Sequence, residues 1–375
     1  MNLEPRSEPA AQDLTPRRRV MHFVTGGFSG ATTVAADLAL ASLAGTRVEP
    51  VLVLRRKRHT DLSRVHALRE RGLPVYLLPG WSRIATVLAL KRLCLELKPD
   101  VLVAHGFPEH VLGRYAGWLA GVPRLIQVEH NTRERYWPWS RAFSRWLAAR
   151  SARLVGVSEG VRRRLVELGM PEALTMAIPN GIPLQRFEVE PPPMEEREPG
   201  IVMSARFARQ KDQPTLIRAL ALLKERGLTP SLQFAGSGKA SARRVAEALV
   251  TRLGLDAQVR FLGHHKDMPG LLRSQRIFVL ATNWEGMPLA LVEAMAAGCA
   301  CVASAAPGVE GVFEDGVSGL LVPPGDAKAL ADALERLLRE PELAARLGAA
   351  ARAHALQHHG MPTMLRRYED LMVSV

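Results

Sequence analysis

Short apolar runs alternate with longer amphipathic segments along almost the whole chain. Val20–Thr25, Val51–Leu54, Val75–Leu78, Val101–Ala104, Leu125–Val128 and Leu154–Val157 have the length and β-branched content of strands. Between them, Thr32–Leu43, Leu62–Arg71, Ile84–Leu97 and His110–Ala120 repeat their apolar residues at helical spacing. Strands with so little polar alternation predict a parallel sheet covered on both faces. The alternation stops at Pro183–Gly200, where Pro191, Pro192, Pro193 and Pro199 mix with Glu188, Glu190, Glu195, Glu196 and Glu198. That composition predicts a solvated linker. Strands then resume at Ile201–Ser204, Leu232–Ala235, Val259–Leu262, Ile277–Ala281, Ala300–Ala303 and Gly319–Val322. Helical patterns at Gln213–Glu225, Ala240–Leu253, Leu289–Ala297 and Ala327–Leu338 separate them.

The expectation is an α/β protein of two Rossmann-like domains, residues 19–182 and 200–355, joined by a linker at 183–199. A length of 375 residues agrees with two cores rather than one. In such sheets ligands bind beyond the carboxyl ends of the strands, so two facing domains put those ends on either side of one cleft.

Composition narrows the class further. No apolar run approaches the eighteen or so residues a membrane span needs. Residues 1–18 are polar and proline-bearing, without a signal-peptide core, and are expected to form a disordered tail on a cytoplasmic protein. Cys94, Cys299 and Cys301 make neither a metal-ligand spacing nor a disulfide framework, which suits a reducing compartment. The net charge of +13 draws the chain to anionic material, whether nucleotides, phospholipid surfaces or nucleic acid.

Candidate chemistry gathers where a strand, a tight loop and a helix follow one another, at Ile277–Ala281, Thr282–Pro288 and Leu289–Ala297. Pro288 suits a helix entrance, where its missing N–H costs nothing. The N–H groups near Gly286, Met287 and Leu289 would then be free at a helix N-terminus, a ready anion site. Glu285 stands in the loop and Glu293 one turn into the helix. Carboxylates grip vicinal hydroxyls through charge-assisted hydrogen bonds. Two such glutamates would equally suit a capping residue and a surface helical position.

The surroundings decide between these readings. The segment from Trp284 and Glu285 through Glu293, Ala294 and Met295 to Ala297, Gly298 and Cys299 resembles the Glu-x7-Glu signature of the family-4 retaining glycosyltransferases of GT-B fold. The resemblance extends over nearly the whole chain. It takes in the glycine loop Thr25–Gly30, Val157-Ser-Glu159, Ile178-Pro-Asn-Gly-Ile182, the run from Ser204 through Arg206 to Lys211, and Glu314-Asp-Gly through Gly325. It implies that Glu293 binds the nucleotide ribose, that Glu285 holds a donor-sugar hydroxyl, and that Arg206 and Lys211 bind the donor diphosphate. Independently, two cations at the carboxyl end of Ile201–Ser204 suit charge developing on a leaving group.

By the same resemblance the glycine loop, with Gly27, faces the donor phosphates or the acceptor, as glycines before a helix allow. His105, beside Gly106 at a strand end, is expected to face the cleft and to contact the donor sugar near its reacting carbon. His130, with Asn131, is an acceptor-side candidate, and the loop bearing His264 would lie against the nucleotide base. The final segment, 356–375, with its helical stretch Pro362–Met372, would return to the first domain as in relatives.

The implied reaction moves a sugar from a nucleoside diphosphate, UDP by preference, onto an acceptor hydroxyl with retained configuration, in cell-surface polysaccharide or glycolipid synthesis. No D-x-D motif stands at a strand end, so neither metal nor cofactor is expected. A sugar-nucleotide epimerase would use the same nucleotide grip without an acceptor site. A nicotinamide dehydrogenase wants an acid after the second strand, where Arg55-Arg-Lys-Arg58 stands instead. A third alternative is a non-catalytic membrane-associated scaffold. Residues 131–164 carry nine arginines against Glu134 and Glu159, interleaved with Tyr136, Trp137, Trp139, Phe143 and Trp146. They are expected to meet an anionic membrane surface on the inner face, where lipid-linked or glycan acceptors are used, rather than nucleic acid; the same pattern also suits an ordinary helix with its aromatics in the core.

Overall fold

The computed structural model describes residues 17–28, 30–133 and 136–375. The tail at 1–16, Ser29 of the glycine loop, and Glu134 and Arg135 of the arginine-rich segment lie outside them. Two parallel sheets carry the chain. The first contains β1 (Arg18–Thr25), β2 (Val48–Arg55), β3 (Val75–Leu78), β4 (Val101–His105), β5 (Arg124–Glu129), β6 (Arg153–Gly156) and β7 (Thr175–Ala177). Their order is β3-β2-β1-β4-β5-β6-β7. Helices α1 (Gly30–Ala44), α2 (Leu62–Glu70), α3 (Arg83–Leu97), α4 (Glu109–Leu119), α5 (Pro138–Ala148) and α6 (Glu159–Glu167) connect them.

The second sheet runs β10-β9-β8-β11-β12-β13. Its strands are β8 (Glu198–Ser204), β9 (Leu232–Ala235), β10 (Val259–Gly263), β11 (Gln275–Leu280), β12 (Ala300–Ser304) and β13 (Leu320–Val322). Its helices are α7 (Gln213–Glu225), α8 (Ala240–Arg252), α9 (Met268–Ser274), α10 (Leu289–Ala296), α11 (Ala327–Arg339) and α12 (Pro341–His358). In both sheets the strand order reverses beside the first strand, β1 or β8, which places a crevice at its carboxyl end.

The elements follow from local chemistry. Central strands such as β4 and β12 are buried along their whole length, which is why they lack alternation. Helix starts are marked by side chains that accept from the free N–H groups of the first turn: Asp61, Ser82, Ser158, Asp212, Asp267 and Asp326. The last helix, α13 (Met361–Ser374), packs Met364, Tyr368, Leu371 and Met372 against Val20, Val34 and Leu38 of the first domain.

One expectation is corrected. Residues 183–199 are not a solvated tether. Two 3-10 turns, Leu184–Phe187 and Met194–Glu196, sink Phe187 and Met194 into the second domain's clusters. Arg197 is buried as well, donating to the carbonyls of Ala297 and Gly298 at the end of α10. The prolines and glutamates there describe the outer surface of a packed strap. The chain leaves the second domain near Gly360, where a bridge pairs it with Ile182, rather than at residue 355.

Candidate functional site

The site forms where β11, its following loop and α10 face the carboxyl ends of β4, β5 and β6. The two domains touch through this loop. Thr132 Oγ1 donates to the carbonyl of Glu285 at 2.8 Å, and Ser158 Oγ to the carbonyl of Gly286 at 2.6 Å. Met287 packs against clusters of both domains. Gly286 is required by space: a Cβ there would lie 1.9 Å from the carbonyl oxygen of His130. Gly308 is required twice over, by a φ of +87° and by a Cβ that would lie 2.2 Å from the carbonyl oxygen of Glu285.

Glu285 is 5% exposed. The sequence places its carboxylate toward a donor in the cleft; in the structure it is turned inward and shared among three protein donors. The Lys211 ammonium and Thr282 Oγ1, at 2.8 Å, meet Oε1, and Gln210 Nε2 meets Oε2 at 3.2 Å. Lys211 is correspondingly not a free cation, although an ammonium with three donors keeps capacity for a second anion. Arg206 differs: it is exposed, and among the described residues only its backbone carbonyl is engaged, accepting from Gln213 at 3.1 Å. Glu293 stands one turn into α10 and pairs with Arg186 at 3.3 Å. Burial pushes its carboxyl up, against the pull of that guanidinium.

The helix entrance also departs from expectation. Pro288 takes the capping position and not the first turn, and the Leu289 N–H is spent on the carbonyl of Met287 at 3.1 Å. The anion site is therefore narrower than the pattern implied, with the backbone at Gly286 and Met287 remaining. Gly27 is exposed at the mouth of the first domain, and His264 is exposed after β10.

His105 does not face open cleft. It is fully buried between His22 (3.2 Å) and His130 (3.4 Å), and His130 is the ring that reaches partial exposure. Burial holds His22 and His130 down at about 4 and His105 well below the usual imidazole range. Beneath them lies a second buried chain. Arg114 donates to His110 Nδ1 at 3.1 Å, His110 Nε2 meets the Tyr136 hydroxyl at 2.8 Å, and that hydroxyl donates to Glu129 at 3.0 Å. Burial pushes Glu129 up to about 7, so His110 and Glu129 do not form an ion pair of full charges.

Sequence reasoning missed His22, Glu129, Gln210, Thr282 and Arg186. His22 carried a usable signal, a lone polar residue inside an apolar strand. Gln210 carried none, because its partner Glu285 is distant in sequence, whereas Thr282 stands three residues before Glu285 in the same loop and was open to reading as a local partner.

A cavity of about 1090 Å³ opens beside the Glu285 loop, between Asn131, Thr132 and Arg133 of one domain and Arg209, Gln210 and Trp284 of the other. It flanks Glu285 and does not reach Arg206 or Glu293, so it is a neighbour of the proposed donor groups and not their container. Several arginines of 131–164 serve the protein itself. Arg162, Arg163 and Arg164 pair with Glu159, Glu310 and Glu167 at 2.7, 2.6 and 2.9 Å. Arg133 covers the Trp284 ring at 4.3 Å, and Arg141 donates to the carbonyl of Leu168 at 2.8 Å. Among the described residues no three His, Cys, Asp or Glu are grouped to hold a metal, and no helix is long and apolar enough to cross a membrane.

Two α/β sheets facing each other over such a cleft define the GT-B class. A crystal structure of Anabaena Alr3699/HepE in complex with UDP superposes on 96% of this chain and 100% of its own, with a TM-score of 0.83 at 21% identity. Two family models cover most of the sequence: "Glycosyltransferase Family 4" over residues 28–186 and "Glycosyl transferases group 1" over 185–354. The chain belongs to the family-4 glycosyltransferases. Its relatives include the putative glycosyltransferase EpsD of Bacillus subtilis, 30% identical over 57% of this chain and 58% of that one. Another is the UDP-Gal:alpha-D-GlcNAc-diphosphoundecaprenol alpha-1,3-galactosyltransferase of Escherichia coli, 26% identical over 67% and 70%.

Proposed function

We propose that the protein transfers a sugar from a UDP-sugar to an acceptor hydroxyl with retained anomeric configuration, in the synthesis of a cell-surface polysaccharide or glycolipid. The observation that carries this reading is the pairing of Lys211 with buried Glu285 at the domain junction, with exposed Arg206 on the same strand-end loop as Lys211 and Glu293 on the adjoining helix. Arg206 and the spare protons of Lys211 neutralise the departing diphosphate. Glu293 accepts from the ribose hydroxyls, exchanging Arg186 for them. Glu285 is held by three donors and is a poor covalent nucleophile, which disfavours a double-displacement path. The departing phosphate takes the acceptor's proton as the hydroxyl enters on the face the phosphate leaves. No metal is needed in this scheme. UDP is preferred because a UDP complex is known for a protein of this fold and a relative is named for UDP-Gal. That relative's diphosphoundecaprenol acceptor supports a cytoplasmic site on the inner membrane face, with a lipid-linked or glycan acceptor.

Calorimetry with UDP, GDP and NAD tests the reading. Wild type binds UDP in preference to the others, and Glu293→Ala weakens it by about 10- to 100-fold, the loss of one or two charge-assisted hydrogen bonds. No binding of any nucleoside diphosphate, or equal binding by the variant, would sink the assignment. Retained transfer in the presence of EDTA is expected; abolished transfer restored by a divalent cation would overturn the metal-free scheme.

A further inference from the structure

Helix α3 is apolar on two opposite faces. Its inner face, with Val87, Leu90, Leu93 and Cys94, is buried in the first domain's core. Its outer face carries Ile84, Leu88 and Leu95, which fall within about 40° of one another at 3.6 residues per turn. They are 73%, 60% and 53% exposed, and Trp81, in the loop that opens the helix, is 85% exposed. A second apolar stripe left on the outside of a surface helix marks a place where something other than water is met. Among the described residues nothing covers the second face.

The rim of this stripe is cationic. Arg92 and Lys91 border it on either side of the helix, and Arg83 stands exposed at the helix start, next to Ile84; Glu96 is the helix's one acid. Beside Trp81 a notch of about 710 Å³ is lined by Arg56, Lys57, Arg58 and Pro79. Lys57 is paired with buried Glu109 at 3.0 Å. Arg56, Arg58, Arg83 and Arg92 make no ion pair among the described residues, in contrast to Arg162, Arg163 and Arg164. The notch is rigid, because a Cβ at Gly80 would lie 1.6 Å from the carbonyl oxygen of Arg56 and the Arg55 guanidinium donates to the carbonyl of Gly80 at 3.2 Å. Both loops follow the carboxyl ends of β2 and β3, the same edge of the sheet that bears the cleft.

We propose that this face docks on an anionic lipid bilayer. Trp81, Ile84, Leu88 and Leu95 enter the interfacial region, and Arg56, Arg58, Arg83 and Arg92 meet headgroup phosphates. A rim of unpaired arginines around an exposed apolar stripe complements an anionic interface and repels a second copy of the same cationic face. The docking surface thus lies on α3 and the loops before it, not on the arginine-rich segment that the sequence singles out. This rests on the lipid-acceptor reading above and sharpens it, since docking there brings the cleft mouth to the membrane.

Vesicle co-sedimentation of the full chain tests it. Wild type pellets with phosphatidylglycerol-containing vesicles and not with pure phosphatidylcholine, and raised salt weakens the association. Ile84→Ser with Leu88→Ser lowers the partition by about tenfold or more, and Arg56→Gln with Arg58→Gln removes most of the preference for anionic lipid. Trp137→Ser with Trp139→Ser on the arginine-rich segment leaves it in place. No pelleting of wild type, undiminished pelleting of the α3 variant, or loss confined to the tryptophan variant would each overturn the proposal. So would light scattering that finds a wild-type dimer broken by the α3 substitutions, since a second copy would then cover the face. A parallel UDP titration separates the two readings: the α3 variant keeps wild-type nucleotide affinity, whereas failure of wild type to bind UDP removes the transferase reading and leaves the vesicle result standing.

Discussion

At the inner wall of the cleft, His22, His105 and His130 form a line whose direction can be assigned. His22 Nε2 is buried without a partner among the described residues. Burying a bare lone pair costs less than burying an unpaired N–H, so His22 carries its proton on Nδ1 and donates to His105 Nε2. His105 must then donate from Nδ1 to His130 Nε2, which leaves His130 with an Nδ1–H. Replacing His22 by Phe removes that constraint. Nitrogen chemical shifts of His130 should report a dominant Nδ1–H tautomer in wild type and a mixture in the variant; the same tautomer in both would refute the line. The trio also sets a pH dependence. Between an unfolded value near 6.5 and folded values of about 4, the unfolded chain binds more protons, so stability falls as pH drops through that window. Each such imidazole contributes up to about 1.4 kcal/mol per pH unit there. Glu129, raised to about 7, acts in the opposite sense and stabilises the fold as pH falls from 7 toward 4.5. Urea melts at pH 7.5, 6 and 5 should show a net loss toward acid, steeper in Glu129→Gln and shallower in His22→Phe.

At the scale of elements, the loop from β11 to α10 acts as the contact between domains, and Gly286 is its tightest point. Gly286→Ala forces a Cβ against the His130 carbonyl, so either the loop or the domain pairing must yield. Small-angle scattering should find a larger radius of gyration and calorimetry weaker UDP binding; an unchanged radius with unchanged affinity would mean the loop absorbs the methyl. The strands were legible because both faces of each sheet are covered, which makes β4 or β12 an uninterrupted apolar run. The positions of Glu293 on α10 and of Arg206 after β8 were legible because helix and loop placement are local properties. The inward turn of Glu285 was not, since it depends on Lys211 and Gln210 arriving from another strand end. Nor was the buried strap at 183–199, where single residues such as Phe187 and Met194 decide the packing against a polar background.

For the whole molecule, α13 makes the two halves one unit. The chain crosses from β7 through the strap into the second domain, runs to the end of α12, and then returns to cover β1 and α1 with Met364, Tyr368, Leu371 and Met372. Each of these large side chains contributes about 1.5–3 kcal/mol on burial, so together they supply about 6–12 kcal/mol. That is comparable to the whole stability of a typical domain, about 5–15 kcal/mol. Ending the chain after Gly360 removes that cover and leaves the second domain's clusters intact, because none of their residues lies beyond Ala355. Scanning calorimetry should then lose the first domain's transition at room temperature and keep the second domain's. Circular dichroism should report loss of roughly the first sheet's share of ordered structure. A thermogram superimposable on that of the full chain would mean that α13 decorates the first domain rather than completing it.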